Sequence, residues 1–167
     1  MKKIVKNTLL IMLIAVVIAA VIKLFIFEFF KVSGQSMEPT LKEGSYIYVN
    51  KLYYGLCMPF GDRLLLQWSS PKEGDIVIYL YHNRIIVKRC IATQGTPLEY
   101  SSDFGYNLIV KNKTYQLTEE QYHNIRHSNK VPEKTILVIG DNQSNSIDSR
   151  TYGFVPTKNI LGRVMHK

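Results

Sequence analysis

Ser36 is the residue of this chain whose position most suggests covalent chemistry. It lies in the stretch Ser33–Leu41, a few residues after a long apolar run near the N-terminus. A serine hydroxyl is a weak nucleophile at its ordinary pKa, so a nucleophilic role requires a base that removes its proton. Another part of the chain must supply that base.

The four histidines are the first candidates, because histidine is the usual partner of a catalytic serine. His82 lies in a predicted hairpin turn with Asn83, and His166 is the penultimate residue. His123 and His127 are four positions apart on a polar helix candidate. These positions are typical of solvated surface residues rather than of a general base.

Lys88 is the stronger candidate because it lies inside the apolar run Ile85–Ile91. Side chains alternate between the two faces of a strand, so an interior position can bury an ammonium group. Full burial lowers a lysine pKa from about 10.4 by up to roughly 3 to 5 units, which would make Lys88 a base near neutral pH. In the alternative arrangements, Lys88 points to solvent and Arg89 points inward, or both residues lie on an edge strand.

A third polar element is the stretch Gly140–Gly153, which follows the apolar run Thr135–Ile139. A neutral lysine amine needs a hydroxyl or carbonyl to orient it, and Ser146 is a suitable supplier. Asp148 and Arg150 are two positions apart and can pair to hold the loop. Strings of this kind are also ordinary loop material, in which the polar side chains cap their own backbone.

The elements that must position these residues are short β-rich runs separated by turn residues, which predicts an all-β domain after Gly44. Only the segment Leu117–His127 resembles a helix, with Thr118 as N-cap and Gln121 as its capping-box partner. The predicted strands are Ser45–Val49, Asp75–Tyr81, Arg84–Ile91, Asn107–Val110, Thr135–Ile139 and Ile160–Met165.

The apolar run before Ser36 predicts a transmembrane helix over residues 8–30, interrupted by Lys23. A bilayer core of about 30 Å needs roughly 20 helical residues, and a lysine near the helix end can extend its ammonium to the headgroups. The lysines that precede the run predict that residues 1–7 stay in the cytoplasm and residues 31–167 are exported. A cleavable signal peptide with a site near Val17–Ala19 is the alternative.

The charge composition also favours a membrane over nucleic acid. The 167 residues carry a net charge of +8, but the chain has no basic run interleaved with aromatics, no helix-turn-helix pattern and no zinc-finger spacing. An anionic membrane surface fits this excess better. Cys57 and Cys90 form neither a C-x-x-C motif nor a Cys/His cluster, so a metal site is not indicated. They are either a disulfide pair or two small apolar residues.

Four motifs occur in order behind the apolar run. They are Ser36–Leu41, Gly74–Val77, Lys88–Arg89, and Gly140–Asn142 with Ser146–Arg150 and Gly153–Pro156. Each motif alone would be a weak match, whereas their order is specific. Together they resemble the ordered boxes of the bacterial type I signal peptidases over nearly the whole chain.

The resemblance implies a membrane-anchored serine endopeptidase that removes N-terminal signal peptides from exported preproteins. The implied fold is all-β, with antiparallel and partly barrel-like sheets, preceded by one N-terminal transmembrane helix. It implies a single-pass protein of the bacterial cytoplasmic membrane, with its N-terminus inside and its catalytic domain on the extracytoplasmic face. The implied partners are signal-peptide-bearing preproteins, the lipid bilayer and the secretion translocon, with no nucleic acid, metal or cofactor.

The resemblance also implies residue roles. Ser36 would be the nucleophile, and Lys88 the general base that later acts as acid toward the leaving amine. Ser146 would orient the Lys88 amine, while Asp148 and Arg150 would hold the loop that carries Ser146.

Two further roles follow from the same resemblance. Asp141 would pair with Arg89, and the backbone N–H of Ser36 would stabilise the oxyanion of the tetrahedral intermediate. Some members carry a serine two positions before the nucleophile, whose hydroxyl adds a second oxyanion donor. This chain has Gly34 there, so that side-chain donor is absent.

The chain departs from the family pattern at three positions near the proposed base. Ala92 and Gln94 interrupt the usual residues after the Lys-Arg pair, and Gln143 stands where arginine is common. These departures predict a changed wall around the base and leave two alternatives open. One is a non-catalytic, signal-peptidase-like pilus assembly factor, and the other is a conjugative-pilus maturation peptidase.

Overall fold

An antiparallel sheet of seven strands carries the segment around Lys88. The computed structural model describes residues 2–57, 61–103 and 105–165. Its strands are β1 (Phe27–Lys31), β2 (Tyr46–Asn50), β3 (Gly55–Cys57), β4 (Leu64–Gln67), β5 (Ile76–Tyr81), β6 (Arg84–Thr93), β7 (Glu99–Ser101), β8 (Asn107–Val110), β9 (Lys113–Gln116), β10 (Thr135–Ile139), β11 (Val155–Pro156) and β12 (Ile160–Met165).

The strand pairing confirms the predicted class of mostly antiparallel β-structure. The large sheet has the order β1-β2-β12-β5-β6-β10-β11, and two small sheets have the orders β3-β4 and β7-β8-β9. Every pairing between these strands is antiparallel. The large sheet places β6, the strand of Lys88, between β5 and β10, so this lysine lies on an interior strand rather than at an edge.

Six strands coincide with the predicted apolar runs. The bounds of β8, β10 and β12 are those predicted, β2 is shifted by one residue, β5 begins one residue later and β6 extends two residues further. β3, β4, β7, β9 and β11, which have two to four residues each, are absent from the prediction. Runs this short carry too little periodicity to identify a strand.

The hairpin between β5 and β6 fixes the register of the strand that carries Lys88. His82 and Asn83 both have positive φ, 47° and 59°. Positive φ at both central residues is the geometry of a two-residue type I′ turn, which matches the twist of the flanking strands. The resulting register pairs Tyr81 with Arg84 and Val77 with Lys88.

The N-terminal segment differs from its prediction at its C-terminal end. Helix α1 covers Lys2–Val21 and continues into a π-helical turn, Ile22–Ile26. The predicted helix over 8–30 is therefore too long, because residues 27–30 belong to β1 and pair with β2. Aromatic residues favour a pleated surface, and Phe27 stacks on Tyr48 with ring centroids 4.8 Å apart. Among the described helices, none combines the length and hydropathy of a membrane-crossing helix.

The predicted helix near residue 118 is confirmed, with a shorter extent. Helix α2 covers Glu119–Ile125 and begins with the predicted capping box. The Thr118 side chain accepts from the Gln121 N–H at 3.2 Å, and the Gln121 side chain accepts from the Thr118 N–H at 3.0 Å. Helix α3 covers Ser149–Tyr152, and short 3₁₀ turns cover Gln143–Asn145 and Thr157–Asn159.

The core contains three clusters of buried apolar residues. The cluster that bears on Ser36 includes Val32, Met37 and Leu41 together with residues of β2, β5 and β12. Cys57 and Cys90 lie in another cluster as buried thiols. Burial raises the pKa of the Cys90 thiol to about 12.

Candidate active site

Ser36 and Lys88 lie in direct contact. The Lys88 amine, Nζ, is 2.6 Å from the Ser36 hydroxyl oxygen, Oγ. Lys88 is only 4% exposed, which is the buried arrangement of the alternatives that its position inside an apolar strand left open. Ser36 comes from the turn after β1 and Lys88 from β6, so tertiary structure joins two residues 52 positions apart.

Burial lowers the pKa of Lys88 below its ordinary value of 10.5. The charged form loses hydration when it leaves water, and this effect is larger than the influence of the neighbouring charges. The carboxylates of Asp148 and Asp141 act in the opposite direction, and the Arg150 guanidinium adds to the lowering. The lowered pKa increases the fraction of neutral amine, which is the form that can accept a proton from Ser36.

The turn that carries Ser36 is anchored by the core on both sides of it. Val32, Met37 and Leu41 are buried in one cluster, and the Leu41 N–H donates to the Met37 carbonyl at 2.9 Å. Gly34 has φ +86°, a backbone conformation that glycine adopts without a steric penalty. Its N–H donates to the Glu43 carboxylate at 3.1 Å, so the turn is fixed at both ends.

Asn142 donates hydrogen bonds to the backbone carbonyl groups of Gln35 and Ser36. Its backbone N–H donates to the Ser36 carbonyl at 3.0 Å, and its side-chain Nδ2 donates to the Gln35 carbonyl at 3.1 Å. A peptide group is planar and trans, so a fixed Gln35 carbonyl also fixes the direction of the Ser36 N–H. The sequence does not predict this role, because the only local signal is that Asn142 lies within a polar stretch.

Asp148 is the centre of a buried network that supports the Ser146 loop. It is fully buried and accepts from the Gly140 N–H at 3.0 Å, the Ser146 hydroxyl at 2.6 Å and the Arg150 guanidinium at 2.9 Å. The predicted pairing of Asp148 with Arg150 is therefore confirmed. A buried carboxylate with this many donors is well compensated for its lost hydration.

The Ser146 hydroxyl has a different partner from the one implied by the resemblance. It donates to Asp148, whereas the one hydrogen bond of the Lys88 amine in the described chain is to Ser36. A carboxylate is a stronger acceptor than a neutral amine, which favours this orientation. Ser146 still lies beside the residue that carries the nucleophile, because both residues pack against Gly140. A Cβ atom added at Gly140 would be 2.2 Å from Ser146 Oγ and 2.5 Å from the Ser36 carbonyl oxygen.

Arg89 and Asp141 form the predicted pair. Arg89 Nε and Nη2 donate to the two Asp141 oxygens at 2.7 and 2.6 Å, a bidentate arrangement. Arg89 also donates to the Gly74 carbonyl at 3.0 Å and the Thr40 hydroxyl at 3.3 Å. Burial alone would raise the pKa of Asp141, but the hydrogen bonds from Arg89 and Thr40 together with the nearby positive charges outweigh it and lower that pKa. The pair links the Lys88 strand to the Gly140 loop and to the Ser36 turn.

The three departures from the family pattern take no part in the hydrogen bond between Ser36 and Lys88. The Gln94 side chain accepts from the Lys134 N–H at 2.8 Å, and Ala92 is buried in a separate core cluster. The Gln143 residue is exposed, while its carbonyl accepts from Arg150 at 2.8 Å. Gln143 also lines the cavity beside the Ser36 turn, so the prediction that these positions alter the wall around the base stays a prediction.

The histidines occupy the surface positions expected of them. His82, His123 and His127 are exposed, and His166 lies outside the described residues. Within the described ranges, no group of three His, Cys, Asp or Glu side chains comes together as a metal site.

Comparison with known proteins places the sequence of this chain in a family. A family model described as signal peptidase, peptidase S26, matches residues 5–167. The chain is 30% identical to Signal peptidase I of Bacillus caldolyticus over 90% of this chain and 84% of that protein. It is 27% identical to Signal peptidase I of Buchnera aphidicola subsp. Baizongia pistaciae over 89% of this chain and 72% of that protein.

A crystal structure of a signal peptidase I from Enterococcus faecalis also matches, with a TM-score of 0.42 and 24% sequence identity, over 58% of this chain and 98% of that chain. The family model covers almost the entire sequence. The chain therefore belongs to the signal peptidase family, peptidase S26.

Proposed function

We propose that Ser36 and Lys88 form a catalytic dyad that hydrolyses the peptide bond between a signal peptide and the mature part of an exported preprotein. The family assignment supports the activity. The observation that carries the residue roles is the 2.6 Å contact between the buried Lys88 amine and the Ser36 hydroxyl. A nucleophile within hydrogen-bond reach of a base is the arrangement that covalent catalysis requires.

In the first half of the reaction, the neutral Lys88 amine accepts the Ser36 hydroxyl proton while Oγ attacks the scissile carbonyl carbon. The carbonyl oxygen becomes an oxyanion. When the intermediate collapses, the C–N bond breaks and the Lys88 ammonium donates its proton to the leaving amine. The signal peptide is then esterified to Ser36, and the mature chain leaves with a new N-terminus.

In the second half, Lys88 is neutral again and accepts a proton from a water molecule that attacks the ester carbon. The second tetrahedral intermediate collapses, the bond from carbon to Ser36 Oγ breaks, and the ammonium returns its proton to Oγ. The signal peptide leaves as a carboxylic acid, which then releases its proton to the solvent as a carboxylate forms. Within the protein, only the two dyad residues gain or lose a proton in either half.

The backbone N–H of Ser36 is the proposed donor to the oxyanion in both halves. Gly34 supplies no hydroxyl, so the stabilisation depends on this backbone group. Removal of one such donor in other enzymes costs about 2.7 to 4 kcal/mol of transition-state stabilisation. Asn142 supports the proposal because it holds the Gln35 carbonyl and so orients the peptide that contains the Ser36 N–H.

We also propose that the apolar N-terminal segment anchors the enzyme in a bilayer, with residues 1–7 inside and residues 31–167 on the extracytoplasmic face. Apolar side chains from Leu9 to Ile18 are at least half exposed along α1, which is costly in water. The lipid bilayer is the proposed partner of these side chains. The secretion translocon is a further proposed partner, since it delivers the preproteins at this face.

The test is cleavage of a preprotein with an Ala-x-Ala site by the full chain in detergent. The intact protein should release the signal peptide, and both Ser36→Ala and Lys88→Ala should abolish the release. Lys130→Ala is the matched control because Lys130 is an exposed lysine outside the site. Cleavage that persists in either dyad variant would refute the proposed roles.

A further inference from the structure

A polar cavity adjoins the Ser36 turn, and the proposed dyad does not use it. Its volume is about 840 Å³, and its lining includes Glu38, Gln121, Asn142, Ser144 and Ser146. This volume falls in the range of roughly 300 to 1,000 Å³ that is typical of ligand sites. Asn142 connects the cavity directly to the nucleophile, because its backbone N–H donates to the Ser36 carbonyl.

The side chains that line the cavity match the polar half of a preprotein. They are mainly amide, hydroxyl and charged groups. A signal peptide is apolar, whereas the mature chain that follows the cleavage site is polar. The mature chain is therefore the half that fits the cavity.

The charges in the cavity do not cancel. Asp141 is paired with Arg89, and Arg150 is paired with Asp148. Glu38 lines the same cavity and, in the described part of the chain, forms no ion pair. Among the described residues, its carboxylate accepts one hydrogen bond, from the Glu43 N–H at 3.4 Å. The cavity thus presents one negative charge that a substrate cation can neutralise.

We propose that this cavity binds the first residues of the mature chain, on the carboxyl side of the scissile bond, and that Glu38 makes it favour lysine or arginine there over aspartate or glutamate. This inference rests on the proposed function. A partly buried carboxylate attracts a nearby cation and repels a nearby anion, and both effects weaken as salt screens the charges.

The experiment uses peptides with one common signal-side sequence and with Lys, Gln or Glu placed in turn at the first, second or third residue after the cut. For the full chain in detergent at low salt, kcat/KM should follow the order Lys, Gln, Glu at one or more of these positions. The expected ratio of Lys to Glu is about three- to tenfold, the size of two partly exposed charge interactions of opposite sign. The ratio should fall toward one at about 0.5 M salt.

Glu38→Gln should bring the ratio toward one at low salt, and Glu133→Gln should leave it unchanged. Glu133 is the matched control because it lines a different cavity. The ratio is taken within each variant, so any general change in activity cancels. If Glu38→Gln fails to fold, the salt dependence of the ratio in the unsubstituted chain still tests the charge.

Equal kcat/KM for the Lys and Glu peptides at all three positions would overturn the site. If such cleavage still required Ser36 and Lys88, the proposed function would stand. A preference that survives both Glu38→Gln and high salt would also overturn the assignment to Glu38. Failure of the unsubstituted chain to cut any peptide or preprotein would instead contradict the proposed function, and this site with it.

Discussion

Single side chains at the site act mainly through the groups they hold in place. Lys88 contacts Ser36 because it is buried on one face of β6, while its neighbour Arg89 reaches Asp141. Asn142 holds the backbone on both sides of the Ser36 N–H. Lys88 should determine how kcat/KM depends on pH, whereas Asn142 should affect kcat.

The lowered pKa of Lys88 predicts how activity depends on pH. The amine accepts a proton only when it is neutral, so kcat/KM should rise as pH increases through this lowered pKa and level off above it. The midpoint should lie below 10.5, the ordinary lysine value. The measurement is kcat/KM against pH with a peptide that has no titratable groups. A maximum below about pH 6 would contradict a neutral lysine base.

Asn142→Ala should lower kcat by about tenfold, because it frees the peptide that carries the oxyanion donor. The pH dependence should keep its midpoint, since the Lys88 environment is unchanged. Asn145→Ala is the control, because the Asn145 side chain donates to the exposed Gln35 side chain at 3.4 Å, and the substitution keeps the backbone N–H that donates to the Asn142 carbonyl. A shifted midpoint, or a change confined to KM, would argue against this positioning role.

At the scale of elements, two features set the geometry of the site. The β5–β6 hairpin fixes the register of Lys88 through its two-residue turn, and a slip of one residue would move Lys88 to the opposite face of the sheet. The loop between β10 and α3 is held by Asp148, whose side chain also caps α3 through the Arg150 N–H at 3.2 Å. The dyad depends on both features, although neither contributes a reacting atom.

Asp148→Ala should destabilise the protein by about 3 to 5 kcal/mol, because it leaves the buried Arg150 guanidinium without its counter-charge. Chemical denaturation of the detergent-solubilised chain would measure this change. Asp62→Ala, at an exposed position, should change the free energy of unfolding by less than about 0.5 kcal/mol. Equal effects of the two substitutions would exclude the structural role of the Asp148 network.

At the scale of the molecule, an apolar N-terminal helix is joined to a polar β-domain by a short connection. Ile26 ends the π-helical turn and accepts from the Lys51 N–H at 2.8 Å, which ties the end of the helical segment to the domain. Ser36 is only ten positions further along the chain. A membrane anchor would therefore keep the nucleophile near the bilayer surface, where a signal peptide that spans the bilayer presents its cleavage site.

Leu13→Lys combined with Val17→Lys should release the protein from the membrane. Each lysine costs about 2.5 to 3.5 kcal/mol at the centre of a membrane helix. The measurement is the fraction of protein that resists carbonate extraction of cell membranes. Leu65→Lys with Leu66→Lys, at exposed positions of β4, is the matched control and should stay in the membrane fraction. Equal retention of both variants would contradict the proposed anchor.

Local patterns in the sequence determined much of the fold and part of the site. Apolar runs bounded by turn residues predicted six strands, and the Thr118 capping box predicted the start of α2, because these features depend on neighbouring residues. Strand alternation indicated that Lys88 could be buried, but it left open the alternative that Arg89 points inward. The pairing of Asp148 with Arg150 was predictable, since the two residues are only two positions apart.

Only the tertiary structure decided the contacts made between distant segments. The Asn142 side chain meets a carbonyl 107 positions away, and no local pattern encodes that distance. The Ser146 hydroxyl lies close to the nucleophile but donates to Asp148, because the folded site brings a carboxylate within its reach and a carboxylate is a stronger acceptor than the Lys88 amine. Residues 27–30 had the hydropathy of a helix end, yet they form β1 because β2 offers unpaired backbone groups and aromatic partners. Hydropathy and periodicity report on neighbours in sequence, whereas hydrogen-bond partners are set by neighbours in space.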